Sequence, residues 1–97
     1  MGIAEEVSGL LEATVLFNGV RIGRIVDVIL DRVGGEVVGF EVRCEDRRHR
    51  FLPRAAATIA DDASVEIGSP FALLDAGELE FYRQRGVTLR KHEEPAA

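Results

Sequence analysis

Val26, Val28 and Leu30 recur at alternate positions, and Val38, Phe40 and Val42 repeat the pattern further on. Ile22 to Val42 therefore reads as two strands, each with one continuous apolar face. Arg32 to Gly35 supplies the reversal between them, because Gly34-Gly35 tolerates positive φ without a Cβ clash. Upstream, Ala13 to Phe17 is rich in β-branched and aromatic residues. Asn18-Gly19 follows at once, a dipeptide that favours a type I′ hairpin turn. Gly23 and Gly39 lie on facing strands where a missing side chain permits a bulge or a sharp coil. Downstream, Glu45 to Arg48 forms a polar turn, His49 to Leu52 a short strand, and Pro53 its end or an edge. A weak strand over Ala57 to Ile59, a turn at Asp61-Asp62 and a strand over Ser64 to Ile67 complete the series, with Val65 and Ile67 facing inward. Six short strands with no helix long enough for a βαβ crossover predict a meandering antiparallel sheet. Its open edges must be closed into a barrel or covered.

The period changes after Leu74. Asp75 is placed to cap a helix, Glu78 to complete a capping box, and Leu74 and Leu79 to form a hydrophobic staple. The spacing predicts a helix over about residues 76–85, with Gly86 at a left-handed C′ position and Val87 packing back on Tyr82. Early acids and the late Arg83 and Arg85 suit the helix dipole, while Leu79 and Tyr82 share the face that presses on the sheet or on a second copy. Residues 1–10 read as an arm and 90–97 as a charged, small-residue-rich tail, leaving one domain over residues 11–89.

A net charge of -5, no Trp and a single Tyr weigh against a protein that grips single-stranded nucleic acid through its bases. Cys44 is the only cysteine, which excludes an internal disulfide and a thiolate-rich zinc site and suits the reducing cytoplasm. It falls in register with Phe40 and Val42, as a small buried hydrophobe rather than a reactive thiol. No apolar run approaches the roughly 20 residues of a membrane span. The N-terminus lacks the basic start and apolar stretch of a secretion signal, and Glu6 sits where a Met1-Gly2 myristoylation signal wants Ser or Thr. The expectation is a cytoplasmic protein without membrane insertion.

The run Ile22-Gly23-Arg24-Ile25-Val26-Asp27, with Asp31 after it and a glycine turn leading into Val37-Val38-Gly39-Phe40-Glu41-Val42, resembles the PRC-barrel family. That family includes the cytoplasmic part of the photosynthetic reaction-centre H subunit and the C-terminal half of a ribosome maturation factor. Phe51-Leu52-Pro53 fits the family's return strand. The resemblance covers about residues 11–68. It implies an all-β fold, a small antiparallel PRC-type β-barrel here followed by a short C-terminal helix. It also implies a module that assembles with other proteins and brings no catalytic, cofactor-binding or metal-binding residues to carry over.

Asp27 and Asp31, four apart on one strand, share a face in regular geometry with Ile25 and Ile29 and form the only carboxylate pair worth weighing as a cation or acid-base site. No third ligand lies near in sequence. The structural alternative is that Asp31 starts the turn while Asp27 accepts backbone amides at a bulge or pairs with an Arg. His49 and His92 read as surface residues. Arg47, Arg48 and Arg50, flanked by Arg43 and Arg54, form the one basic concentration, either a contact for RNA phosphate or an acidic partner, as in a factor whose turn touches ribosomal RNA while its barrel grips a ribosomal protein, or a solvated turn paired with nearby carboxylates. Phe71, Leu73, Leu74, Leu79, Phe81 and Tyr82 exceed what one face of a short helix buries, so part of this segment is expected to cover a barrel opening and part to make a homodimer contact, the alternative being that all of it packs within one chain. The expected function is a non-enzymatic interaction module without cofactors, with ribosome or RNA association as the alternative.

Overall fold

The computed structural model describes residues 9–90. Most of the proposed arm, the tail after Arg90, His92 and the Met1-Gly2 start lie outside them. Seven strands make one curled, half-barrel sheet: β1 (Thr14–Phe17), β2 (Val20–Asp31), β3 (Val37–Cys44), β4 (His49–Pro53), β5 (Ala57–Ile59), β6 (Val65–Ile67) and β7 (Gly86–Thr88). Among the described residues one α-helix, α1 (Ala76–Arg85), precedes β7. The order is β4-β3-β2-β1-β6-β5, with β7 on the C-terminal half of β2. The turn dipeptide behaves as its chemistry requires, Asn18 and Gly19 taking φ of 50° and 77°.

Two features depart from a simple antiparallel meander. β1 and β6 run parallel, through Val15↔Val65 and Phe17↔Ile67, and β4 and β5 do not pair, so the sheet is curled but open. Four strands lie between β1 and β6 in the chain, which gives the long connection that a parallel pair requires. In addition, Gly86 is extended, with φ -114°, in place of the expected left-handed conformation: its amide still donates to the Tyr82 carbonyl at the helix end while the residue opens a strand. A Cβ there would stand 2.6 Å from the Leu30 carbonyl oxygen, so glycine serves close strand approach, and Val87 pairs with Leu30 rather than folding back on Tyr82. In the β2–β3 turn, only Gly35 takes the left-handed conformation, at φ 69°.

The alternation in β2 is broken where it matters. The β2–β3 register slips between Ile25 and Asp27, leaving Val26 as an extra residue, and slips back near Val38. The bulge puts Ile25 on the same side as Val28 and Leu30, and it expels the expected core residue Val26 to a half-buried site. The inner core gathers Val15, Ile25, Val28, Phe40, Val42, Leu52, Val65 and Leu89. Cys44 is buried here as expected. Leu10 belongs to the same core at 5% exposure, so the domain reaches back into the arm.

A second cluster lies on the opposite face, where Ile29 and Phe51 receive Leu79, flanked by Val38, Leu74 and Tyr82. Phe51 stacks on Tyr82 with centroids 4.3 Å apart. Asp75 caps α1 by accepting from the amides of Gly77 and Glu78 at 3.1 and 3.3 Å. No described helix is long and apolar enough to cross a membrane.

Candidate interaction surfaces

Cross-strand register orders the outer face of the sheet into three bands. Arg24, Arg43 and His49 stand in one row, Asp27, Glu41 and Phe51 in the next, and Ile29, Gly39 and Pro53 in the third, with the Phe51 ring leaning over Gly39 toward the end that α1 covers. The bulge at Val26 is what sets Asp27 opposite Glu41, so the buried carboxylate pair is these two rather than Asp27 and Asp31. Each is occupied structurally. Asp27 accepts from the Val28 and Arg90 amides at 2.9 and 3.0 Å. Arg90, placed by the sequence at the start of the tail, is thereby tied down, and its guanidinium reaches the Val26 carbonyl and, at 2.7 Å, Glu12. Glu41 lies 2.5 Å from His49 Nδ1 and 3.8 Å from Arg83 on α1, so helix and sheet are joined by ion pairing as well as by the apolar cluster. Asp31 starts the turn, accepting from Gly34 N at 3.1 Å. Among the described residues, no cluster of three His, Cys, Asp or Glu side chains is placed to hold a metal ion.

The basic turn is divided by its own geometry. Arg50 forms a two-pronged pair with Asp46 at 3.1 and 2.8 Å. That bond, with the Arg48 amide, holds the Asp46 carboxyl down at about 2 from an ordinary 3.8, and the Arg50 guanidinium is pushed upward by the same contact. A lowered carboxyl pKa stabilises the folded turn above the unfolded value and loses that contribution as pH falls through the folded one. An NMR titration of the Asp46 side chain is therefore expected to show a midpoint near 2, moving back toward 3.8 in Arg50→Gln. Arg47 and Arg48 are exposed and make no ion pair among the described residues. Arg47 occupies the left-handed position of this turn, φ 69°, where glycine is the customary residue.

The C-terminal aromatic group is divided as well. Leu79 is buried at 5%, which removes it from the expected contact residues, and half-buried Tyr82 stacks on Phe51 of its own chain. Phe81 is 45% exposed with Arg85 4.2 Å above its ring, and Phe71 is 90% exposed. Ala72 and Leu73 are partly buried and pack against the inner core. Phe71 sits on the 3-10 turn Pro70–Ala72, fixed by Ser69 Oγ accepting from the Phe71 amide at 3.1 Å. Beside it is a groove of 430 Å³ whose apolar lining includes Ile22, Cys44, Pro70 and Leu73. Arg50 and Phe71, far apart in sequence, thus meet at one groove. Two further clefts flank the sheet. One, of 640 Å³, lies between Arg48, His49 and the start of α1; the other, of 470 Å³, is lined by Arg21, Arg24, Arg43, Arg47, Glu12 and Glu45 among others.

The sequence reading missed the Glu41–His49–Arg83 link and the Arg24–Arg43 juxtaposition, both products of register. The turn length of the β2–β3 hairpin alone would have suggested the second. No family model, curated protein or solved structure matches this chain.

Proposed function

We propose that the chain is a non-catalytic interaction module of the PRC-barrel type, acting in the cytoplasm by surface complementarity, and that its first partner is a second copy of itself docked at the Phe71 groove. The observation that carries this reading is the 90% exposure of Phe71 on a turn that Pro70 and the Ser69 cap hold rigid. A pre-ordered phenylalanine loses little conformational freedom on docking, and burying it yields roughly 2–3 kcal/mol.

A second copy fits because the groove's charged rim is already neutralised. Arg21 pairs with Glu45 at 3.1 Å and Arg50 with Asp46 at 2.8 Å, so two chains of net charge -5 can meet there without like-charge contact. A two-fold arrangement buries two such rings, about 4–6 kcal/mol, and the apolar lining of the two grooves supplies the remainder of the roughly 8 kcal/mol that a micromolar dimer requires. Sedimentation equilibrium is expected to show a monomer-dimer equilibrium at micromolar concentration, and Phe71→Ser to leave a folded monomer with unchanged circular dichroism. A wild-type chain that stays monomeric at hundreds of micromolar, or a Phe71→Ser variant that dimerises as before, removes this reading.

A further inference from the structure

The cleft lined by Arg21, Arg24, Arg43 and Arg47 has a charge arrangement that the fold does not balance. Arg24 and Arg43 are direct cross-strand partners, and Arg43 is in turn opposite His49. Like charges at such positions repel and destabilise a sheet. Glu12 draws Arg24 at 3.6 Å and Glu45 draws Arg21 at 3.1 Å, while Arg43 and Arg47 have no carboxylate within ion-pair distance among the described residues. Four arginines against two glutamates leave a local excess of positive charge in a chain whose total is -5. Arg47 further keeps a left-handed backbone that glycine would adopt without strain.

We infer that this cleft is a binding site for a small oligophosphate anion, held by Arg43 and Arg47 with Arg24 and Arg21 beside them. Guanidinium forks match phosphate oxygens two at a time, which a carboxylate exploits only once per group. At 470 Å³ the cleft falls in the size range of small-molecule sites, about 300–1,000 Å³. Its lining contains no aromatic ring on which a base could stack, so the phosphates and not a nucleobase are what it recognises. A compact anion senses only the field within a Debye length of about 8–10 Å, whereas a long polyanion also meets the repulsion of the acidic remainder. These two points favour a small ligand over an RNA strand.

The test is isothermal titration of the full chain with inorganic tripolyphosphate at about 0.15 M ionic strength. One saturable site is expected. Arg43→Gln is expected to weaken it by roughly tenfold or more, the loss of one bidentate contact. Arg47→Gly should weaken binding by several-fold without lowering the melting temperature, because it removes the guanidinium and relieves the left-handed residue together. Arg83→Gln, in the other cleft, should bind as the wild type does. Absence of saturable heat at millimolar tripolyphosphate overturns the inference, as does full retention of binding in Arg43→Gln. Equal loss in Arg83→Gln, or tighter binding of a short oligouridylate than of tripolyphosphate, overturns it too. None of these outcomes depends on the Phe71 groove, so this site and the proposed dimer stand or fall separately.

Discussion

Gly39→Ala is expected to destabilise the protein by about 3 kcal/mol, the upper end of what a single added methyl costs in a packed interior. Gly39 lies in the middle of β3, paired with Pro53 of β4. A Cβ built there would stand 2.5 Å from the Leu52 carbonyl oxygen and 2.4 Å from Cζ of the Phe51 ring. The ring could rotate away only by abandoning Tyr82, and the carbonyl belongs to a strand already in register with β3. Glycine in a strand normally weakens it, yet here the aromatic ring lies over the bare backbone and supplies the missing packing. Urea denaturation will show the midpoint falling with little change in slope, against a total stability of about 5–15 kcal/mol for a domain of this kind.

Phe51→Ala is expected to cost still more, about 3–5 kcal/mol. Phe51 is 1% exposed and central to the outer cluster, between Ile29 of β2 and Leu79 and Tyr82 of α1. Its amide and carbonyl also exchange hydrogen bonds with Leu74 at 2.9 and 2.8 Å, which ties the entry of α1 to the sheet edge. Loss of the ring leaves Leu79 and Tyr82 facing a void, so the helix should exchange its amide hydrogens faster while the β2–β3 hairpin keeps its protection. The two substitutions share a contact and will not add. In the double variant, alanine at both positions relieves the ring clash but not the one with the Leu52 carbonyl, so it is expected to be less unstable than the sum of the single effects.

Local chemistry was enough for most element positions. Asn18-Gly19, the hairpin closed near Gly35, the Asp75 cap and the exclusion of a βαβ pattern each depend on residues within a few positions of one another. The carboxylate roles were also accessible, since Asp31 as a turn acceptor and Asp27 as an acceptor of amides follow from side-chain length and position beside a turn and a bulge. Faces were less accessible. A strict period of two assigned Val26 to the core, and one extra residue in the β2 ladder reversed the assignment for Val26 and Ile25 together.

The amino-acid order by itself determined that strands would dominate, where nearly all of them begin and end, and where a single capped helix would follow, because propensity, turn conformation and capping are short-range. The tertiary structure alone decided that β1 meets β6 in parallel and that Gly86 opens a strand. It also decided that Phe51 draws Leu79 and Tyr82 onto the sheet while Phe71 stays in solvent, and that Asp27 faces Glu41. These depend on which distant segments compete for the same sheet edge or apolar surface, and that competition is resolved by total burial and ladder register rather than by any residue's own preference.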